Sequence, residues 1–331
     1  MSPRSHRARG SRAERDQARP EPRTDAAAGP ALAVDVGGTK CAVALVDGAE
    51  VIARRTVPTP AAEGPDAVVE AVVAAGQELI ADAPRAPTRL GIATAGVVDA
   101  GRVRAMSPEL MPGWNDYPLQ AELGERLGVP AIALNDGQAA AWGEARFGAG
   151  KDRSSVMFVT VSTGVGGGLV LAERLWPGHT GLAGHVGHLR GYSSGTLAGR
   201  GGPRPKLEAL VSGTTMASRA AESGQVADAR AVIAAAVAGE LWAKRIVDEA
   251  AEALAQALAD VRALIDPEVV VLGGGVGLNR SFRSALKKAI AALPESLRVT
   301  LEAAELGADA GLVGAADWAR AQLASTSHDR P

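Results

Sequence analysis

An Asn-Asp pair, Asn135-Asp136, follows a short apolar run and precedes a helical pattern that begins near Gln138. A carboxylate placed there can accept the proton of an attacking hydroxyl group, and a polar neighbour can orient it, as phosphoryl transfer requires. An aspartate just before a helix can equally serve as the N-cap of that helix. Residue type and position fit both interpretations, so the pair is a candidate general base and also a candidate helix cap.

Three glycine clusters each follow a predicted strand, at residues 35–40 (DVGGTK), 162–168 (STGVGGG) and 273–275 (GGG). Glycine lets backbone N–H groups approach a polyanion closely, since no Cβ stands in the way. The clusters lack the P-loop pattern, and Leu169 stands where the dinucleotide fingerprint needs its last glycine. Three such loops at strand ends nevertheless favour a nucleotide site. Asp35, beside the first loop, is either a Mg²⁺ ligand through water or a turn cap.

Two of the five histidines, His185 and His188, lie three residues apart in a glycine-rich stretch. This spacing alone is a weak indication of a metal site, and surface histidines are the alternative.

The composition excludes several classes of protein. The 331 residues carry a net charge of −2 and are 47% hydrophobic, which is typical of a globular protein and gives no general attraction to nucleic acid or anionic membranes. No apolar run approaches the ~18 residues of a membrane span. The single cysteine, Cys41, excludes an intramolecular disulfide and a cysteine-rich zinc ribbon. We therefore expect a cytoplasmic protein that binds neither nucleic acid nor membrane.

Apolar runs alternate with helical patterns along most of the chain, which is typical of an α/β protein. Residues 1–29 are rich in Arg, Pro and Ala and lack periodic hydrophobic residues, so we expect a disordered tail there. The predicted strands cover 31–36, 41–46, 51–57, 89–94, 131–134, 156–162 and 268–272. The predicted helices cover 66–81, 119–127, 138–147 and 229–265.

Six segments, in this order, resemble the ROK family of sugar kinases and sugar-responsive repressors from about Ala31 to Trp318. Each motif is moderately specific, and six in order are highly specific. They are 33–40 (AVDVGGTK), 132–142 (IALNDGQAAAW), 159–168 (VTVSTGVGGG), 181–188 (GLAGHVGH), 271–275 (VLGGG) and 309–315 (DAGLVGA).

The resemblance implies the actin-like ATPase (ribonuclease H-like) fold, with two α/β lobes around a cleft for ATP and sugar. The expected small lobe covers 30–134, with a helix near 310–322 packing back on it. The expected large lobe covers 135–309, and a disordered tail covers 323–331. Homo-oligomers are common in the family, so we expect a homo-oligomer, most simply a dimer.

The resemblance also implies how ATP binds. The first two glycine loops would hold the phosphates, with Mg²⁺, and Gly274 would lie near the adenosine. The implied ATP-binding residues are Ala33, Val34, Asp35, Val36, Gly37, Gly38, Thr39, Lys40, Thr163, Gly164, Val165, Gly166, Gly167, Gly168, Leu169, Val170, Leu171 and Gly274.

The implied sugar site centres on Asp136, which would take the proton from a sugar 6-hydroxyl that attacks the γ-phosphate. Asn135 would bind other hydroxyls of the sugar, and Gly96 would present backbone groups to it. The implied set is completed by His185, His188 and Glu208.

Within the family, the sequence is similar to the bacterial N-acetylmannosamine kinases, with Gly-His-x-Gly-His where ROK glucokinases carry Glu in the position of His185. A neutral histidine donates or accepts where a carboxylate only accepts, so this exchange affects which sugar fits. The expected reaction is phosphorylation of N-acetylmannosamine, a step of sialic acid catabolism. The alternatives are a glucokinase or other hexose kinase, and a catalytically reduced sugar sensor. A ROK repressor would need a winged helix-turn-helix, and the thirty residues before Ala31 lack helical periodicity.

The sequence departs from the family between His188 and Glu208, where three cysteines usually join the second histidine in binding a structural zinc. Residues 189–206 contain no cysteine, and His188 alone cannot form a tetrahedral site. We therefore expect no zinc, a mobile loop, and weakened sugar binding rather than lost chemistry.

Overall fold

Two five-stranded sheets of the same layout form the framework of the chain. The computed structural model describes residues 29–107, 111–191 and 204–325. In chain order the strands are β1 (Ala31–Val36), β2 (Lys40–Asp47), β3 (Glu50–Pro58), β4 (Leu90–Thr94), β5 (Val97–Asp99), β6 (Arg102–Arg104), β7 (Ala131–Asn135), β8 (Ser155–Val161), β9 (Val165–Leu171), β10 (Arg174–Leu175), β11 (Val269–Gly273) and β12 (Leu301–Ala303). The first sheet has the order β3-β2-β1-β4-β7 and the second the order β10-β9-β8-β11-β12, while β5 and β6 form a separate hairpin.

Each sheet begins with antiparallel strands and continues with parallel ones. In the first sheet β2 is antiparallel to β1 and β3, whereas β1, β4 and β7 are mutually parallel. The register pairs Val36 with Thr94 and Thr94 with Asn135. The carboxyl ends of the three parallel strands therefore meet at one edge of the sheet, which is where α/β proteins bind ligands. In the second sheet β8, β11 and β12 are parallel in the same way.

Helices cover both sheets and lie between them. They are α1 (Pro65–Asp82), α2 (Leu119–Leu127), α3 (Asp136–Phe147), α4 (Glu208–Val211), α5 (Gly213–Glu222), α6 (Ala229–Val237), α7 (Leu241–Ile265), α8 (Arg280–Ala291) and α9 (Ala310–Ser325). Helices α1 and α2 pack on the first sheet, and α4 to α8 enclose the hydrophobic core beside the second. None of the helices in the described ranges combines the length and apolar composition of a membrane span.

Helices α3 and α9 pack directly against each other between the two sheets. Helix α9 also contacts β1 and β4, while α3 contacts β8 and β9. The approach is close enough to require glycine: a Cβ on Gly314 would lie 1.8 Å from the Ala139 carbonyl oxygen, and a Cβ on Gly143 would lie 2.6 Å from that of Ala310. These two helices therefore connect the sheets mechanically, whereas the lobe boundaries at 30–134 and 135–309 stay a prediction.

The predicted elements are confirmed with three corrections. The long helix expected over 229–265 is two helices, because Gly239 adopts φ +97° between α6 and α7. Helix α3 begins at Asp136 rather than Gln138. Helix α9 runs to Ser325, three residues beyond the predicted end. The tail at 1–28, the cysteine-free loop at 192–203 and residues 326–331 lie outside the described residues.

Candidate active site

The edge formed by the carboxyl ends of β1, β4 and β7 carries Asp35, Gly96 and the Asn135-Asp136 pair. These residues are up to about a hundred positions apart in the sequence. The parallel register alone brings them together, because each follows or ends a strand at the same level of the sheet. The structure therefore groups four of the residues that the sequence singled out.

Asn135 joins three segments through one side chain. Its Oδ1 accepts the backbone N–H groups of Gly137 at 2.9 Å and Gln138 at 3.3 Å, so Asn135 is the N-cap of α3. Its Nδ2 donates to the Gly96 carbonyl oxygen at 2.9 Å. The alternative in which Asp136 caps the helix is wrong, because Asp136 is already the first helical residue. An amide has two Nδ2 hydrogens, and the Asn135 side chain also lies close enough to the Asp136 carboxyl to lower its pKa.

Asp136 stands at the positive end of the α3 dipole with its carboxyl open to the space at the strand ends. Its Oδ1 accepts the Gly137 N–H at 2.7 Å, which orients the group. The surrounding protein removes water from the carboxyl and raises its pKa, an effect that the Gly137 hydrogen bond and the nearby His185 partly oppose. A carboxylate with a raised pKa is a better proton acceptor, as a general base requires.

Asp35 faces the same space. Burial raises its pKa to about 6, the negative charge of Asp136 adds to the rise, and the cations Lys40 and Arg54 oppose it. Two neighbouring carboxylates, one of which raises the pKa of the other, are a donor set that suits a hard divalent cation. Within the described ranges, however, no cluster of three or more His, Cys, Asp or Glu side chains could hold a metal by protein ligands alone.

The first glycine loop is the tight turn between β1 and β2. The Gly37 N–H donates to the Lys40 carbonyl at 3.2 Å, and a Cβ on Gly37 would lie 2.8 Å from that oxygen. Thr59, just after β3, stabilises the turn with two hydrogen bonds. Its hydroxyl donates to the Gly37 carbonyl at 2.7 Å, and its N–H donates to the Thr39 carbonyl at 3.1 Å. Gly38, Thr39 and Lys40 are exposed at the tip, where they can meet a ligand.

The second glycine segment has two distinct parts. Thr163 and Gly164 form the turn between β8 and β9 and remain accessible. Gly167 and Gly168 lie within β9 and allow close packing, since a Cβ on Gly168 would lie 2.7 Å from the Gln138 Cα, and one on Gly137 would lie 2.6 Å from the Gly167 carbonyl oxygen. The glycines of β9 thus let the start of α3 approach the second sheet.

Other predicted ATP-binding residues lie away from this edge. Ala33, Val34, Leu169 and Val170 are buried within their strands, and Leu171 pairs with Ser155 at the opposite end of the hairpin from the Thr163 turn. Their assignment stays a prediction.

Gly274 follows β11 with φ +82°, and a Cβ there would lie 2.3 Å from the Val161 carbonyl oxygen. It therefore lies beside the end of β8 and, like the Thr163 turn, at the carboxyl end of the second sheet.

The two histidines and Glu208 lie on the segments next to this turn. His185 precedes the 3₁₀ turn Val186–His188, and the two imidazole rings are 6.4 Å apart. Both ring nitrogens of His185 are buried and have no hydrogen-bond partner in the described part of the chain. Burial lowers the pKa of His188, and the charge of Lys206 lowers it further. Glu208 Oε2 accepts the Val165 N–H at 2.9 Å, which ties α4 to the β8–β9 turn.

Sequence reasoning missed three residues that shape the site: Arg54, Thr59 and Gln138. Arg54 forms an ion pair with Asp309 and contributes positive charge beside Asp35. Thr59 supports the first glycine loop, as described above. Gln138, 1% exposed, donates from Nε2 to the carbonyl oxygens of Gly181 and Ala183, each at 3.0 Å. Their residue types alone do not indicate a role in the site, because each acts through a partner far away in the sequence.

Comparison with known proteins supports this geometry. The model of the ROK family matches residues 31–322. The chain is 44% identical over 290 residues to the bifunctional enzyme NanE/NanK of Brucella melitensis biotype 1, covering 88% of this chain and 54% of that enzyme. This chain thus spans about half the length of that relative. It is also 41% identical to the N-acetylmannosamine kinase of Citrobacter koseri, covering 86% of this chain and 97% of that protein.

Among solved structures, a ROK family glucokinase from Streptomyces griseus in complex with glucose and AMPPNP has a TM-score of 0.73 at 32% identity. The match covers 88% of this chain and all of that chain. The two five-stranded sheets described above therefore adopt the arrangement of a sugar kinase.

Proposed function

The chain belongs to the ROK family, and from this premise we propose that it is an ATP-dependent sugar kinase that phosphorylates the 6-hydroxyl of N-acetylmannosamine. The observation that carries the proposal is Asp136, a carboxylate of raised pKa that stands among Asn135, Gly96 and His185 and opposite the glycine turn beside Asp35. The identities of 41–44% to an N-acetylmannosamine kinase and to NanE/NanK support the choice of sugar.

The chain's own residues account for proton transfer and orientation. Asp136 accepts the proton of the sugar hydroxyl as that oxygen attacks the γ-phosphate, and the Gly137 N–H keeps the carboxylate directed at the attacking oxygen. The second Nδ2 hydrogen of Asn135, which lies near the Asp136 carboxyl in the absence of sugar, would donate to a second sugar oxygen when the sugar is bound. Because the other Nδ2 hydrogen and Oδ1 are already engaged, Asn135 recognises only an acceptor at that position.

The phosphates of ATP would lie between the turns at Gly38 and Gly164, one from each sheet, where exposed backbone N–H groups are available. We expect Asp35 to hold Mg²⁺, because its carboxylate faces Asp136 at the open edge, and burial together with the negative charge of Asp136 raises its pKa. When bound, Mg²⁺ neutralises the developing charge on the transferred phosphoryl group. Since ATP is a cytoplasmic substrate, a cytoplasmic location is part of the proposal, as is a homo-oligomer.

His185 would select the sugar. Its two unpartnered ring nitrogens are buried, and a buried polar group without a partner costs free energy until a ligand supplies one. An N-acetyl group offers both a carbonyl acceptor and an N–H donor, so it can form a hydrogen bond with either ring nitrogen of a neutral imidazole. His188 and Glu208 would bind further hydroxyls beside it.

A second candidate is a kinase for glucose or another hexose, and it rests on the likeness to the Streptomyces glucokinase. The site differs in that an imidazole at residue 185 replaces the carboxylate expected of a ROK glucokinase, which makes glucose the less suitable substrate. A sugar sensor without catalysis is disfavoured because it would not need Asp136.

The test is an ADP-release assay over N-acetylmannosamine, N-acetylglucosamine, mannose and glucose, using wild type, Asp136→Asn and Asp66→Asn. We expect the highest kcat/KM with N-acetylmannosamine and a loss of about 10²–10⁴ in kcat for Asp136→Asn, the usual contribution of a general base. Asp66→Asn is the matched control, because Asp66 binds the Tyr117 hydroxyl on the surface. If no sugar gives turnover that depends on Asp136, the kinase proposal is wrong.

A further inference from the structure

Gln138 lies two residues after the proposed base, within the first turn of α3, and its backbone N–H donates to Asn135 Oδ1. Its side chain is 1% exposed and points away from the helix toward the segment that precedes His185. Both partners of its Nε2 are carbonyl oxygens, which only accept, so the amide orientation is determined by chemistry. One side chain thus holds the carbonyls on either side of Leu182 at 3.0 Å each.

His185 depends on this connection. Its ring nitrogens have no hydrogen-bond partner in the described residues, so no polar contact of its own sets the ring position. The ring position follows the backbone instead, through the His185 N–H to the Leu182 carbonyl at 3.4 Å and the tight turn that closes with the Val186 N–H on the Gly184 carbonyl at 2.7 Å. The bonds from Gln138 end on that same short stretch.

Close packing also fixes this stretch. A Cβ on Gly181 would lie 2.0 Å from the Val98 carbonyl oxygen, and one on Gly184 would lie 2.6 Å from the Gly168 Cα. Both glycines have positive φ, +79° and +85°. The stretch 181–185 is therefore packed among the β5–β6 hairpin, β9 and Gln138. Of these three, Gln138 is the one that belongs to α3, the helix that carries Asp136.

We propose that Gln138 is a positioning residue that sets the separation between the Asp136 carboxylate and the His185 ring, and thereby contributes to the discrimination among sugars. This proposal deepens the proposed kinase function and rests on it. The sugar must reach Asp136 with its 6-hydroxyl and His185 with its C2 substituent at once. The distance between these two groups then decides whether a given sugar reacts or only binds. Gln138 touches neither the sugar nor ATP.

The test compares wild type with Gln138→Met, which keeps the length but removes both donors, and Gln138→Glu, whose ionised carboxylate would face two carbonyl oxygens. Trp142→Phe is the matched control: it removes a buried donor on the same helix, the Nε1 bond to Asp317 at 2.9 Å, on the side that faces α9. Steady-state kinetics are measured for N-acetylmannosamine, mannose and ATP with enzyme of known active fraction.

For Gln138→Met we expect the KM for N-acetylmannosamine to rise about tenfold and its preference over mannose to fall about tenfold, as the loss of two buried hydrogen bonds would produce. The KM for ATP should stay within about twofold, because the side-chain bonds of Gln138 run to the Gly181 and Ala183 carbonyls and the substitution leaves its Cα, which packs on Gly168, in place. Gln138→Glu should show the larger loss at pH 8 and recover partly toward pH 5.5, where a protonated carboxyl regains one donor. Trp142→Phe should lower thermal stability without changing sugar preference.

Hydrogen exchange in the apo proteins provides a readout that does not depend on any substrate. Peptides covering 181–188 should exchange faster in Gln138→Met than in wild type or Trp142→Phe. If hydrogen exchange of 181–188 is the same in Gln138→Met as in wild type, Gln138 is not the positioning residue. The same conclusion follows if exchange of 181–188 becomes faster but sugar preference is unchanged. If wild type phosphorylates no sugar, the proposed function fails, and the exchange data still show whether Gln138 holds the His185 segment.

Discussion

Asn135 donates a hydrogen bond from Nδ2 to the carbonyl oxygen of Gly96 at 2.9 Å while its Oδ1 caps α3. This single side chain fixes the end of β4 relative to the helix that carries Asp136. Gly96 has φ +92°, and a Cβ there would lie 2.8 Å from the Arg104 carbonyl oxygen, so the turn after β4 packs closely against β6. The Gly96 backbone and the proposed general base are thus held in one unit.

Two substitutions of Asn135 should distinguish its role as the N-cap of α3 from its hydrogen bond to the Gly96 carbonyl. Asn135→Ala loses both, so we expect a loss of about 1–2 kcal/mol in the free energy of unfolding and a large rise in sugar KM. Asn135→Asp keeps an acceptor for the cap but places a carboxylate against the Gly96 carbonyl, so stability should fall less while sugar KM rises similarly. Urea unfolding and sugar kinetics measure the two effects. An equal loss of unfolding free energy in both variants would contradict the assignment of Asn135 as the N-cap of α3.

The pH dependence of kcat/KM should reflect Asp136. Desolvation by the surrounding protein raises the pKa of this carboxyl above that of an ordinary aspartate, and the proposed base acts only when it is deprotonated. Activity should therefore fall tenfold per pH unit below that pKa, at a higher pH than an unperturbed aspartate would give. A profile measured at saturating ATP tests this expectation, and an acidic limb near the ordinary pKa of 3.8 would contradict it.

Asp35 should destabilise the metal-free protein at neutral pH. Its pKa is about 6 in the folded protein against 3.8 for the free side chain, so the folded state binds the proton more tightly. The stabilisation from this proton is complete below about pH 4 and is lost as the pH rises through 6, a change of about 2–3 kcal/mol. Asp35→Asn should thus be more stable than wild type at pH 8 and nearly equal at pH 4.

Thermal unfolding without nucleotide or metal, from pH 4 to 8, measures this difference. Asp82→Asn, on the surface beside Arg55, is the control and should show no such trend. Addition of Mg²⁺ and ATP should stabilise wild type but not Asp35→Asn. An Asp35→Asn protein that is less stable than wild type at pH 8 would show that the carboxylate is already compensated within the protein.

The contact between α3 and α9 should not tolerate a single added methyl group. A Cβ on Gly314 would lie 1.8 Å from the Ala139 carbonyl oxygen, so the helices must separate in Gly314→Ala. We expect a loss of about 1–3 kcal/mol, as overpacking usually costs. Ala321→Ser, on the exposed side of the same helix, is the control and should change stability by less than about 0.5 kcal/mol. Chemical denaturation compares the three proteins.

The proposed kinase activity should not depend on zinc. Main-chain bonds join the two sides of the segment around His188 and Glu208: the Leu207 N–H donates to the Leu189 carbonyl, and the Gly191 N–H to the Pro205 carbonyl, each at 2.8 Å. Treatment with a chelator followed by Mg²⁺ should restore full turnover, and elemental analysis should find no bound zinc. About one tightly held zinc per chain would overturn this expectation. The predicted weak sugar binding is measured in the same assay.

The sequence by itself determined the α/β class, the strands over 31–36, 131–134 and 268–272, and the family motifs. These features are local: strand burial, glycine turns and polar residues at strand ends are encoded within a few positions. It also left two interpretations of Asp136, because a helix cap and a general base need the same residue type at the same place.

Only the tertiary structure excluded the helix-cap interpretation, by showing that Asn135 caps α3. It also places Asp136 beside Asp35, and the role of Asp136 as general base stays a proposal. The structure likewise revealed Gln138, whose partners lie 43 and 45 residues away, and Arg54, whose partner lies 255 residues away. Such pairs depend on how the sheets pack through α3 and α9. The hydrophobic periodicity of the sequence does not predict that packing, because the packing depends on which surfaces of the formed elements contact one another.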